Sequence, residues 1–216
     1  MSLRVPVHYD LASTLCYVAH LSLPRLNAAL DESDPVPNEA NGCIAANDGL
    51  AGLDIEFVWT PLDLSRLLGW PRGAPITGRR RTNALAVAEE FDVRVRMPSH
   101  WIDSRRAMAF ALIQDDPAVA ASWRERAFSA VFEEGRPIDT DGDLAPLARE
   151  LGLAYEADSI ESGLVELERR TEEAREAEIT GVPTFQLGAW PLGGIQSDET
   201  MLAILRRWVA KQARTA

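Results

Sequence analysis

The sequence predicts an α/β fold: one four-stranded mixed sheet with helices packed on it and an inserted all-helical subdomain. Three observations predict it. Residues 4–9 (RVPVHY) and 53–59 (LDIEFVW) read as short strands separated by a helical stripe. Residues 62–155 are almost wholly helical in pattern. Two more strand-like segments, 183–188 and 190–192, lie between a charged helix at 156–178 and a final helix beginning at Ser197. The order β-α-β, helices, α-β-β-α places an N-terminal parallel unit and a C-terminal hairpin in one sheet. The expected division is residues 1–61 plus 156–216 as the sheet domain and 62–155 as the helical insertion.

Each element has a local reason. Val5, Val7 and Tyr9 alternate on one face of the first strand, and Pro6 argues for an edge or early-strand position. Leu15, Val18, Ala19 and Leu23 follow at helical spacing behind Ser13 or Thr14 as N-cap, with Pro24 predicting a kink or an early end. Residues 31–49, rich in Asp, Asn, Pro and Gly and carrying Cys43, read as a long surface loop. In the helical stretch, Asp116-Pro117 is a cap followed by a first-turn proline, and its stripe runs to Gly135. Asp143 reads as opening a short helix closed by Gly152. The last helix buries Met201, Ile204, Leu205 and Trp208.

The chain has 216 residues, 33 acidic and 22 basic, for a formal net charge of −11. That balance argues against a broad phosphate-binding surface, so no nucleic-acid partner is expected. No stretch approaches the ~20 apolar residues of a spanning helix, and the N-terminal residues enter a strand without a signal-like apolar core. With only Cys16 and Cys43, the expectation is a reducing, cytoplasmic setting without membrane contact. His8, His20 and His100 show no ligand spacing, so no metal is expected. The six tryptophans read mostly as core, with one or two placed to line a pocket between sheet and insertion.

Three segments could carry chemistry. Asp10-Leu11-Ala12-Ser13-Thr14-Leu15-Cys16 lies where the first strand meets the first helix, and backbone N–H groups at such a junction favour an anion. A thiol of pKa about 8.5 is mostly protonated at neutral pH, and a drop of about two units makes most of it thiolate. Thr180-Gly181-Val182-Pro183-Thr184 opens a strand with proline, and a cis Val182–Pro183 bond would turn the Val182 N–H and C=O toward an extended ligand. Ser197-Asp198 either caps the last helix or reads the charged end of an amino-acid-like ligand.

Together the S-x-x-C helix start, the helical insert, the T-G-V-P-T segment and the terminal S-D helix resemble the DsbA superfamily. They are most similar to its branch of kappa-class glutathione transferases and 2-hydroxychromene-2-carboxylate isomerases. The resemblance covers essentially the whole chain and implies a thioredoxin-like sheet carrying the helical insertion. It implies glutathione as cofactor, with Ser13 hydrogen-bonding its thiol. Cys16 keeps the second cysteine position of the DsbA motif. Val182, before Pro183, would pair with the cysteinyl backbone, and Ser197 and Asp198 would read the γ-glutamyl end. The partners implied are a small thiol and an organic substrate lying between sheet and insertion, with a homodimer expected by analogy. Gln196 and Glu199 depart from the family's pattern around the Ser-Asp pair. Its active-site lysine has no counterpart, and Arg79-Arg80-Arg81 lies in the same general region.

Plainer readings stand beside these. Ser13 serves equally as an N-cap, Cys16 as a small buried apolar residue, and Arg79–Arg81 as a solvated helix start. The leading expectation is a glutathione-dependent transferase or isomerase using Ser13. The alternatives are thiol–disulfide chemistry on Cys16, which needs an exposed thiol of lowered pKa, and a non-catalytic module that binds a peptide or partner.

Overall fold

The computed structural model describes residues 2–31 and 54–215. Apart from Asp31, the loop expected at 31–49, with Cys43, lies outside the described residues. The strands are β1 (Ser2–Tyr9), β2 (Asp54–Pro61), β3 (Thr184–Leu187) and β4 (Trp190–Gly193). They form one sheet in the order β2-β1-β3-β4. β1 runs parallel to β2, while β3 is antiparallel to both β1 and β4, so the sheet is mixed as predicted.

Pro6 is not at an edge, because β1 is flanked on both sides. It pairs in the parallel ladder with Val58, but the antiparallel ladder to β3 holds only Val7–Phe185 and His8–Thr184. The next position on that side would be Pro6, which has no N–H to donate, and the pairing stops there.

Helix α1 (Thr14–Asp31) continues through Pro24, so the early end expected there does not occur. Proline removes one backbone hydrogen bond, but Leu23 and Leu26 on either side are buried with Val5, Val7, Phe185, Met201 and Leu205. That burial holds the helix across the break.

Between β2 and the charged helix come α2 (Leu64–Leu68), α3 (Gly78–Glu90), α4 (Arg105–Leu112), α5 (Pro117–Ser129) and α6 (Asp141–Glu150). A π-helical turn, Ala130–Glu134, extends α5 to Gly135. The stretch is less helical than its pattern suggests, since residues 91–104 form no helix and are tied back by a Pro75–His100 bridge. Asp116 caps α5 by accepting the Ala118 N–H, with Pro117 in the first turn. α6 begins two residues before Asp143, which instead closes a capping box with Thr140.

The charged stretch forms a short 3₁₀ turn and then α7 (Ile160–Glu176), and α8 (Asp198–Thr215) ends the described chain. The largest core cluster joins Tyr9, Leu11, Cys16 and Tyr17 to Met108, Phe110, Trp123, Phe128, Phe132, Leu144 and Ile160, so it crosses the expected division at residue 62. Trp123 is fully buried, and its indole N–H donates to the Ala107 carbonyl at 2.8 Å, which removes the cost of burying that donor. No helix among the described residues is long and apolar enough to cross a membrane. No group of three or more His, Cys, Asp or Glu there could hold a metal ion.

α7 lies so close to α4 that a Cβ at Gly163 would overlap the Ala109 carbonyl. Both partners are helix backbone, so neither can rotate away. Gly163→Ala is expected to destabilise the protein by about 2 kcal/mol or more, despite alanine's better helix propensity, as read from the urea midpoint. An unchanged midpoint would show that the helices can separate at little cost.

Candidate active site

The junction of β1 and α1 is organised by Asp10, which is 1% exposed. Its Oδ1 accepts the Ala12 N–H at 2.8 Å and the Ser104 hydroxyl at 2.5 Å. Its Oδ2 accepts the Leu64 N–H at 2.8 Å. One carboxylate thus fixes the turn before α1, the first residue of α2 and the residue preceding α4. Burial pushes its pKa up to about 6; the three hydrogen bonds oppose that rise, and the Asp63 carboxylate adds to it.

On this frame sits Ser13, buried at the N-terminus of α1. Its N–H donates to the Asp10 carbonyl at 3.0 Å, and its carbonyl accepts the Tyr17 N–H at 3.1 Å. Its Oγ accepts the Cys16 N–H at 3.3 Å, an N-cap contact, and the same hydroxyl also acts on the Cys16 thiol.

Beside Ser13 opens a cleft of about 590 Å³, lined by the start of α1, by α2, by α3 and by Thr180-Gly181-Val182. Ser13 and Val182, distant in sequence, line the same space. The Val182–Pro183 peptide is cis. The Val182 backbone makes no hydrogen bond among the described residues, whereas the Pro183 carbonyl is used by the Gly194 N–H at 2.8 Å. Thr14 donates to the Met97 sulfur at 3.3 Å, which joins α1 to the irregular segment forming part of the opposite wall.

That wall carries Trp70, Trp101 and Arg80. The two indoles are 4.6 Å apart, and the Arg80 guanidinium lies 3.9 Å from the Trp70 ring. Such stacking holds the cation while leaving its donors available. Among the described residues that line the cleft, Arg80 is the sole ionisable side chain and none is a carboxylate. In a chain of net charge −11, this is a local positive charge with apolar and aromatic surroundings.

Cys16 is placed differently from what thiol chemistry requires. It is fully buried, and burial pushes its thiol up to about 12, with the Ser13 hydroxyl and the Asp10 backbone only partly opposing this. The single-cysteine redox alternative needs an exposed thiol of lowered pKa, and the core packing gives the reverse. Ser197 and Asp198 do not line the cleft. Ser197 caps α8, its Oγ accepting the Thr200 N–H at 3.3 Å and donating to the Thr200 hydroxyl at 2.9 Å. Asp198 lies 3.9 Å from Arg25 and beside Ala19 and Ser22, six to twelve residues along α1 from Ser13, roughly 9–18 Å at 1.5 Å per residue.

Sequence reasoning missed Asp10, Trp70 and Trp101 as specific elements of the site. An aspartate closing a strand two residues before its own backbone partner is an Asx-turn signal, so Asp10 could have been found. The partners contributed by Leu64 and Ser104 carry no sequence signal.

A thioredoxin-like sheet, with a serine at the helix start lining the same cleft as the residue before a cis-proline, defines the class. The chain belongs to the DSBA-like thioredoxin domain family, whose model matches residues 4–205. Among solved structures it is similar to a 2-hydroxychromene-2-carboxylate isomerase, at 21% identity and TM-score 0.65, covering 99% of this chain and 100% of that one. It is also similar to a probable DsbA oxidoreductase from Streptomyces coelicolor, at 19% identity and TM-score 0.64, covering 95% and 89%. Pseudomonas aeruginosa DsbA matches at 13% identity and TM-score 0.50, covering 98% and 84%. At these identities the likeness is one of fold. A comparison with curated proteins returns no match.

Two outcomes test this geometry. Asp10 holds its proton more tightly folded than unfolded, because its pKa rises from 3.8 to about 6. Its contribution to stability is therefore full below about pH 4 and is lost as pH rises through about 6, a difference of about 2–3 kcal/mol. Subtracting urea-derived stabilities of Asp10→Asn from wild type across pH 4–8 should show that slope, and a flat difference would place the carboxyl's pKa near its ordinary value. In a Cys43→Ser background, Cys16 should react with iodoacetamide at pH 8 about a thousandfold more slowly than a free thiol. Rapid labelling of the folded protein would contradict the burial.

Proposed function

We propose that this protein is a glutathione-dependent transferase or isomerase whose thiol site is built on Ser13. The observation that carries this reading is that Ser13 and the unpaired Val182 backbone line one cleft whose sole ionisable lining side chain, among the described residues, is Arg80. Glutathione would supply the nucleophilic sulfur, a chemistry that the buried Cys16 cannot provide.

Ser13 would turn its hydroxyl proton from the buried Cys16 to the ligand sulfur, and the N-terminus of α1 would add its positive field, both favouring thiolate over thiol. The N–H and C=O of Val182 would pair with the peptide of an extended ligand. Arg80, held on Trp70, supplies counter-charge for a ligand carboxylate, and the indoles and aliphatic wall residues accept an apolar organic substrate. Ser197 and Asp198 take no part in this scheme, because they serve α8 and Arg25.

A second reading is a peptide-binding module without turnover, favoured by the same unpaired Val182 backbone. It differs in leaving Ser13 as a cap alone.

Calorimetry with glutathione tests the proposal. Binding in the micromolar to millimolar range is expected, weakened about tenfold by Arg80→Ala and little changed by Asp198→Ala. Ser13→Ala should raise the pKa of the bound thiol by about one unit, followed by thiolate absorbance. Absence of binding up to about 10 mM, equivalent to less than ~3 kcal/mol, would remove glutathione from the mechanism. Binding with an unmoved thiol pKa in Ser13→Ala would favour the non-catalytic module.

A further inference from the structure

Asp10 does more than stabilise one turn, because each of its three side-chain bonds ends on an element that shapes the cleft. Ala12 and Ser13 carry the thiol side. Leu64 begins the helix whose Leu64 and Leu68 form part of the wall. Ser104 precedes α4 and follows closely on Trp101, whose N–H is tied to the Ala74 carbonyl at 2.8 Å. Both carboxylate oxygens accept and neither donates, a pattern an amide cannot reproduce, since its nitrogen would face the Ala12 or the Leu64 N–H. The bonds also differ in their response to a proton. A neutral carboxyl could turn the Ser104 bond around and donate to its Oγ, but it would accept more weakly from Ala12 and Leu64.

We propose that Asp10 is the positioning residue of the cleft: as a carboxylate it holds the Ser13 turn against the start of α2 and the segment leading from Trp101 into α4, and on protonation that hold loosens. The part of this that concerns ligand binding rests on the proposed thiol site; the positioning itself does not. The groups around Asp10 fit a carboxylate whose proton equilibrium lies near neutrality. Asp63 at the start of α2 adds negative charge, but its own carboxylate is paired with Arg72, which also lies 3.4 Å from Asp103 on the α4 side. From α1 the ionisable neighbour is the un-ionised Cys16, and from β1 it is the buried Tyr9. Among the described residues its three bonding partners are two N–H groups and a hydroxyl, all neutral, so no ion pair competes with a proton for its charge.

The test follows the Ala12, Ser13 and Leu64 amide resonances and the carboxyl carbon of Asp10 by NMR from pH 4.5 to 8, on the intact chain. All four should titrate together with a midpoint about 6 in the wild type. In Ser104→Ala, which removes a hydrogen bond that favours the charged form, the common midpoint should rise by about one pH unit. In Asp10→Asn the amide titration should vanish; a merely structural role would lower the melting temperature without making ligand affinity depend on the Asp10 proton.

The functional arm uses S-methylglutathione, which has no thiol to ionise. Its affinity should fall at least about fivefold below the midpoint in the wild type and stay constant with pH in Asp10→Asn. Amides that do not titrate near pH 6, or that titrate equally in Asp10→Asn, would overturn the proposal. Should Asp10→Asn not fold, an unshifted midpoint in Ser104→Ala overturns it instead. Amides that titrate with Asp10 in a protein that binds no S-methylglutathione at any pH would uphold the positioning role while removing the glutathione reading.

Discussion

The buried carboxylate of Asp10 is the constraint on which the cleft depends, because it answers backbone and hydroxyl donors from three different parts of the chain at once. An N–H at the start of a helix has no partner within that helix, and leaving it buried and unpaired costs more than most surface contacts return. Asp10 satisfies such groups at the starts of α1 and α2, and it takes the Ser104 hydroxyl just before α4. The cost is a charge held away from water, visible in its raised pKa. The protein accepts that desolvation at the one point where three elements must meet to enclose a space.

The cleft itself separates two roles that a pair of cysteines would combine. Ser13 presents a hydroxyl to the open side, while Cys16 is packed among Tyr9, Leu11, Tyr17 and the helices beyond them as a small apolar group. The thiol that remains in the motif is thereby silenced by burial, and any sulfur chemistry at this site must come from a ligand. The opposite wall supplies the complementary feature. Arg80 is held at the cleft by stacking on the Trp70 indole, and no ion pair to a carboxylate is found for it among the described residues.

Much of the fold was legible because its signals are local. Strand alternation at Val5, Val7 and Tyr9, the Asp116-Pro117 start and the proline that opens β3 each depend on neighbours in sequence, and all are realised. The failures were of a different kind. Pro6 looked like an edge residue because a missing N–H is usually tolerated at an edge. Here the sheet instead ends its antiparallel pairing at that point. Pro24 was read as a kink or an early end; the end does not occur, because leucines on both sides are buried deeply enough to carry the helix past it. Asp143 was read as the residue that opens α6, whereas it serves the third position of a capping box begun by Thr140.

For the site, the sequence by itself determined the pieces: a helix start at Ser13, a cis-prone proline after Val182, a capped helix at Ser197 and a basic run at 79–81. Each follows from backbone chemistry within a few residues. Only the tertiary structure decided which pieces meet. It joined Ser13, Val182, Trp70, Arg80 and Trp101 around one space, sent Cys16 into the core, and left Ser197 and Asp198 to cap α8 and face Arg25. The reason is that spacing fixes what a segment can be, whereas its partners are set by how buried faces pack and how buried polar groups find their bonds, and both depend on residues far along the chain.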